Sequence, residues 1–141
     1  MGERKTEVAD RLHSAAIHLL RRAAEEDRAA GLSRARLSAL SVVVFRGPLT
    51  LGDLAAAEGV RSATMTGIVN GLEGDGLVRR RAHGRDKRSV NIEATGAGRQ
   101  LLGRARTRRI EHVASKLDDL SDEDLELLGH AAELIDERFA R

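Results

Sequence analysis

Arginine and lysine crowd one stretch of this 141-residue chain. Arg79-Arg80-Arg81 is followed closely by Arg85, Lys87 and Arg88, and then by Arg99, Arg104, Arg106, Arg108 and Arg109. Residues 61–109 hold 12 basic and 4 acidic side chains, a net of +8. Residues 1–60 hold 9 and 8, and residues 110–141 hold 3 and 10, so the formal charge of +2 conceals nets of +1, +8 and −7 along the chain. A basic middle of this kind is the electrostatic footprint of a polyanion-binding surface. A solvated charged face would carry the same composition, so charge alone leaves both readings open. The residues just upstream add a second kind of chemistry. Ser62, Thr64, Thr66, Gly67 and Asn70 are small or hydrogen-bonding, and suit close approach to another surface.

Other chemistries find little support. The five histidines are His13, His18, His83, His112 and His130. His13 and His18 are spaced poorly for two ligands on one helix face. A site from His112, Glu111 and His18 across two copies is a weaker reading than ordinary solvent-facing histidine, because no dense histidine and carboxylate cluster accompanies it. No nucleophile stands beside a base. Neither a phosphate-binding loop nor a dinucleotide-binding glycine pattern is present. There is no Cys, which excludes disulfides and thiolate metal sites. The expectation is a non-enzyme without cofactor or metal. Phe45 and Phe139 are the only aromatics, too few for base-stacking platforms on single strands. No apolar run reaches the roughly 18 residues that span a bilayer. The charged N-terminus lacks the apolar core of a signal peptide, so a cytoplasmic protein without membrane contact is expected.

Periodicity gives the elements that would position these residues. Val8, Leu12, Ala15, Ala16, Leu19 and Ala23 recur at helical steps, predicting a helix over 6–30 that ends at Gly31. Ser33 can cap a second helix with Leu37, Leu40, Val43 and Val44 on its apolar stripe. The run Val42-Val43-Val44-Phe45 suggests that this helix is buried centrally, and Gly47-Pro48 stops it. Thr50 and Asp53 have capping-box spacing before a short helix, and Gly59 suits the turn after it. The next helix, from about Arg61 to Glu73, turns Met65, Ile68, Val69 and Leu72 inward. Ser62, Thr64, Thr66, Gly67 and Asn70 then form its outer face. The pair resembles a helix-turn-helix, whose second helix enters the major groove. Residues 77–81 and 89–93 pair as strands around the polar loop Ala82-His-Gly-Arg-Asp-Lys-Arg88, with Val90 and Ile92 half-buried. Thr95 caps a long helix over 96–117, with Leu101, Leu102, Ala105, Ile110, Val113 and Leu117 as its apolar positions. Ser121 and Asp124 open a last helix through Phe139, striped by Leu125, Leu128, Ala132, Ile135 and Phe139.

From about Leu32 to Phe139 the chain resembles the MarR family of winged helix-turn-helix transcription regulators. The resemblance rests on LTLGDLAAAEGVRSATMTGIVNGLEGDGLVRR, on GRDKRSVNIEATGAGRQLL and on LSDEDLELL, in that order. It implies a mainly α fold with a small β-hairpin wing, in one chain over 1–141. Residues 32–93 would form the DNA-binding lobe, and 6–30 with 95–140 the dimerisation helices. The expected function is a homodimer that binds a pseudo-palindromic duplex DNA operator, represses transcription and is released by a small-molecule effector. A winged-helix protein-interaction module without specific DNA binding is the alternative.

The resemblance assigns DNA contact to Arg61, Ser62, Thr64, Thr66, Gly67 and Asn70 on the recognition helix, and to Arg79, Arg85, Lys87 and Arg88 in the wing. Arg88 would enter the minor groove, braced by Asp86, while Arg85 and Lys87 contact phosphate. Two positions depart from the family pattern. Arg61 stands where a capping Ser is common, passing that task to Ser62. Gly67 replaces a common Arg and removes a bidentate guanine contact. The effector pocket would lie between the lobes, lined by Leu12, Ala16, Leu40, Val44 and Leu101.

Overall fold

The computed structural model describes residues 2–83 and 86–140, and the side chains of all of these but 30, 83 and 86–89. The elements run α1 (Gly2–Asp27), α2 (Arg34–Arg46), β1 (Leu49–Thr50), α3 (Leu51–Glu58), α4 (Ser62–Gly74), β2 (Val78–His83), β3 (Asp86–Ala94), α5 (Gly96–Ser115) and α6 (Asp122–Phe139). The three strands form one antiparallel sheet in the order β1-β3-β2. This is the expected mainly α fold with a hairpin wing.

Local chemistry explains where the helices begin. The Ser33, Thr50, Thr95 and Ser121 side chains each accept a hydrogen bond from the backbone N–H three residues on. Each satisfies one of the donors that a helix start leaves without an intrahelical partner. Thr95 does more, because its hydroxyl also donates to the Gly76 carbonyl at 2.6 Å and ties α5 to the turn after α4. Gly59 sits at φ 66° between α3 and α4, a left-handed conformation that sets the angle between the two helices. The first helix runs from Gly2 to Asp27 before a 3-10 turn over Arg28–Ala30, slightly earlier than periodicity suggests.

The core lies between α2, α3, α4, the sheet and the start of α5. Leu40, Leu54, Met65, Val69 and Leu72 are fully buried there, joined by Val78, Ile92 and Leu102. Sequence expectation fails at two apolar residues. Phe45 is 75% exposed, so α2 is buried on one side only: its stripe through Leu37, Leu40 and Val43 faces inward while Phe45 points away. Val90 is 38% exposed although it shares a strand face with the buried Ile92, because the hairpin there has run past the edge of the core. The strands also extend further than expected. Ala82, His83 and Asp86 to Arg88 belong to β2 and β3 rather than to a loop.

Helices α1 and α6 contain no buried residue at all. Val8, Leu19 and Leu20 on α1, and Leu125, Leu127, Leu128, Leu134 and Phe139 on α6, remain exposed. The α5 residue Ile110 is exposed as well. Isolated helices gain little stability from propensity, and most hold in water by packing an apolar face.

Candidate nucleic-acid interface

Three buried residues, Met65, Val69 and Leu72, seat α4 on the core and fix which face it offers outward. Ser62, Thr64, Gly67 and Asn70 are exposed on that outer face, and Thr66 is half-buried. The helix start departs from expectation. Arg61 occupies the cap position in extended conformation and makes no side-chain cap bond. Ser62 is already the first helical residue, so it does not act as the cap; its carbonyl accepts from the Thr66 hydroxyl at 2.9 Å. A Cβ added at Gly67 would meet open space, so packing within the chain does not require glycine there.

The wing rises beside α4. The three successive arginines of β2 divide between its two faces, as strand alternation demands. Arg79 lies opposite Glu93 on β3, and its Nε donates to the Glu93 carboxylate at 2.5 Å. Arg81, two residues on, reaches the same carboxylate at 3.4 Å. Arg80 points the other way. It binds Glu73 at 2.6 Å and Asn70 at 2.7 Å, joining the wing to the outer face of α4. Composition did not single out Arg80 among its neighbours; strand register distinguishes it. The expected wing residues Asp86, Lys87 and Arg88 lie on β3, with their side chains outside the described residues, and Arg85 lies outside them entirely. The β2–β3 register shifts between Ala82 and His83, where His83 pairs with Asp86.

Electrostatics at the wing base are definite. The Arg79 hydrogen bond, reinforced by the charges of Arg79, Arg81 and Arg99, holds the Glu93 carboxyl below its ordinary value of 4.5 despite opposing desolvation. A lowered folded pKa contributes stability that is complete above the ordinary value and is lost as pH falls through the lowered one. Acid titration should therefore show the wild type losing its advantage over Glu93→Gln below about pH 4.5. An advantage that did not diminish as the pH was lowered below about 4.5 would contradict this role for the pair.

Further along the chain, the arginines of α5 separate by task. Arg99 donates to the Ala94 carbonyl at 3.0 Å, and Arg109 pairs with Asp27 of α1 at 3.2 Å. Arg104, Arg106 and Arg108 are exposed.

Of the expected effector lining, Val44 and Leu101 pack against the core cluster that holds Leu40. Leu40 is fully buried in the core, Ala16 is exposed on α1, and Leu12, Val44 and Leu101 are half-buried. A cavity of about 230 Å³ does open where α1, α2 and α5 meet, lined by Asp27, Arg34, Leu37, Ser38, Ser41, Leu102 and Arg109. Among the described residues no cluster of three or more His, Asp or Glu could hold a metal ion. No described helix is long and apolar enough to cross a membrane.

Comparison with known proteins agrees with this geometry. The MarR family model matches residues 32–90, which span α2, the helix pair and most of the wing. An uncharacterised HTH-type transcriptional regulator of Mycobacterium leprae is 32% identical over 128 residues, covering 91% of this chain and 90% of that protein. The HTH-type transcriptional repressor YetL of Bacillus subtilis is 35% identical over 75 residues, covering 53% of this chain and 45% of its own length. The solved structure of a MarR family protein from Bacillus stearothermophilus superposes with a TM-score of 0.77 at 25% identity, covering 100% of this chain and 99% of that one. With an exposed polar helix face beside a basic hairpin, and with relatives that are transcription regulators rather than enzymes, this chain belongs to the MarR family of DNA-binding transcriptional regulators.

Proposed function

We propose that this chain acts as a homodimeric repressor that binds a pseudo-palindromic operator. The observation that carries the reading is the outer face of α4, small and polar, flanked by a basic wing. Ser62, Thr64, Thr66 and Asn70 would face base edges in the major groove, with Gly67 allowing close approach and Arg61 meeting phosphate at the helix start. Arg79, Arg85 and Lys87 would contact phosphate. Arg88 would enter the minor groove with Asp86 as its brace, where a narrow groove concentrates negative potential. Without an Arg at Gly67, base contacts from α4 are modest. DNA shape therefore supplies part of the specificity.

The dimer is supported by the exposed apolar residues of α1 and α6. In this reading residues 32–93 form the DNA-binding lobe, while 6–30 and 95–140 join the two copies, in the cytoplasm. A two-fold axis would set the α4 helices about one DNA turn apart, roughly 34–36 Å. Occupying a promoter in this way excludes polymerase. Release would come from a small anionic effector in the cavity between α1, α2 and α5, where Arg34 supplies positive charge, Ser38 and Ser41 supply hydroxyls, and Arg109 is already paired with Asp27. Such a ligand works only by binding the DNA-competent and incompetent dimers unequally.

The wing assignment has a direct test. Arg88→Ala should weaken operator binding by roughly tenfold or more while the protein stays folded and dimeric. Unchanged affinity would remove Arg88 from the interface.

A further inference from the structure

The Arg80 side chain makes contacts that bear on how α4 reads a base. Its backbone N–H donates to Glu73 Oε2 at 3.2 Å, and its guanidinium donates to Glu73 Oε1 at 2.6 Å. The other terminal nitrogen donates to Asn70 Oδ1 at 2.7 Å. Arginine has donors only, so the atom of the Asn70 amide that faces it is the oxygen. The orientation of that amide is therefore dictated by its partner. Asn70 is exposed on the outer face of α4, and its amino group is left facing away from Arg80.

We infer that Arg80 is a specificity-determining residue: it presents Asn70 to the major groove as a hydrogen-bond donor. This inference rests on the reading of α4 as the recognition helix. A free asparagine amide pairs with adenine through both its oxygen and its nitrogen, accepting from N6 and donating to N7. Here one lone pair of the oxygen is held by a charged donor, and keeping that bond restricts the amide from turning its oxygen and nitrogen together onto one adenine edge. The amino group then finds two acceptors on guanine, N7 and O6, and one on thymine, O4, whereas adenine's one acceptor, N7, lies beside the N6 amino donor and cytosine offers a donor alone, so guanine and thymine are favoured. Glu73 gives the clamp its stiffness. It holds Arg80 from a point one helical turn beyond Asn70, so rotating the amide would require breaking a charged pair.

Selection of bound duplexes from a randomised library by the full-length protein tests this, with wild type, Arg80→Met, Arg80→Lys and Asn70→Ala compared. Wild type should enrich guanine or thymine at one position in each half-site. Arg80→Met keeps most of the alkyl stem and frees the amide oxygen. It should lose that preference at that position alone, with adenine gaining about tenfold in relative enrichment. Lysine is a point donor that cannot serve Glu73 and Asn70 together with fork geometry, so Arg80→Lys should show the same shift at less cost to folding. Asn70→Ala should erase preference at that position altogether. Preference at that position unchanged in both Arg80 variants, or an equal loss at every position in folded protein, would overturn the inference while leaving the DNA-binding function intact. A wild type that enriches no sequence would overturn both.

Discussion

Glutamate at both Leu125 and Leu128 should leave this protein monomeric at micromolar concentration and lower its operator affinity by more than about 100-fold. The physical reason lies in α6, an 18-residue helix with no buried residue. Leu125, Leu128 and Phe139 are exposed at helical spacing, and Ala132 and Ile135 complete the same stripe. Burying a leucine stabilises by about 1.5–3 kcal/mol, and a two-fold interface counts every such residue twice. Two charges placed in that stripe would convert a large part of this gain into a desolvation cost. The affinity loss follows because the second half-site contact ceases to be intramolecular. Sedimentation velocity and duplex titration read the two effects, with far-UV circular dichroism verifying the helices. A variant that remained dimeric would mean that α6 is not the joining surface.

The second large effect is expected at Gly98. Helix propensity alone favours alanine over glycine by about 1 kcal/mol in a helix interior. At Gly103 of the same helix, an added Cβ meets open space, and Gly103→Ala should stabilise by about that amount. At Gly98 the same Cβ would collide with the Leu77 carbonyl oxygen and press on Leu40. That carbonyl cannot easily retreat, since it accepts the Thr95 N–H at 3.1 Å, and Thr95 is itself bound to Gly76. Overpacking of this kind costs about 1–3 kcal/mol, more where backbone is the obstacle, and so outweighs propensity. Gly98→Ala should lower Tm by roughly 10 °C. Similar shifts of the same sign in both glycine variants would show that close packing between α5 and the β2 entry does not decide stability there.

Helix starts were legible because capping is local: Ser33, Thr50, Thr95 and Ser121 declare themselves by residue type and by the hydrogen bond that type can accept. The inward stripe of α4 was legible for the same reason, since periodicity alone places Met65, Val69 and Leu72 together. What escaped depends on tertiary placement. The strand β1 is two residues long, too short for any alternation to reveal, and exists because Leu49 and Thr50 pair with Ile92 and Asn91. Phe45 looked like core in an apolar run, but hydrophobicity does not say how much of a helix its neighbours cover. The family resemblance passes the cap of α4 to Ser62, whereas backbone conformation gives the position to Arg61. Arg79, Arg80 and Arg81 are alike as residues and differ only by strand register, which sends two to Glu93 and one to Glu73 and Asn70. The cavity near Arg34 and Arg109 brings together residues from three helices, and no spacing in the chain foretells it.

The central claim is that α4 and the wing read duplex DNA, and titrating the protein against duplex from its own promoter across a salt series tests it most directly. A dimer making about six phosphate contacts should lose about 10³-fold in affinity between 50 and 200 mM salt, while retaining preference for a pseudo-palindromic site over unrelated duplex. Absence of duplex binding even at low salt, or binding that ignores both salt and sequence, would contradict it.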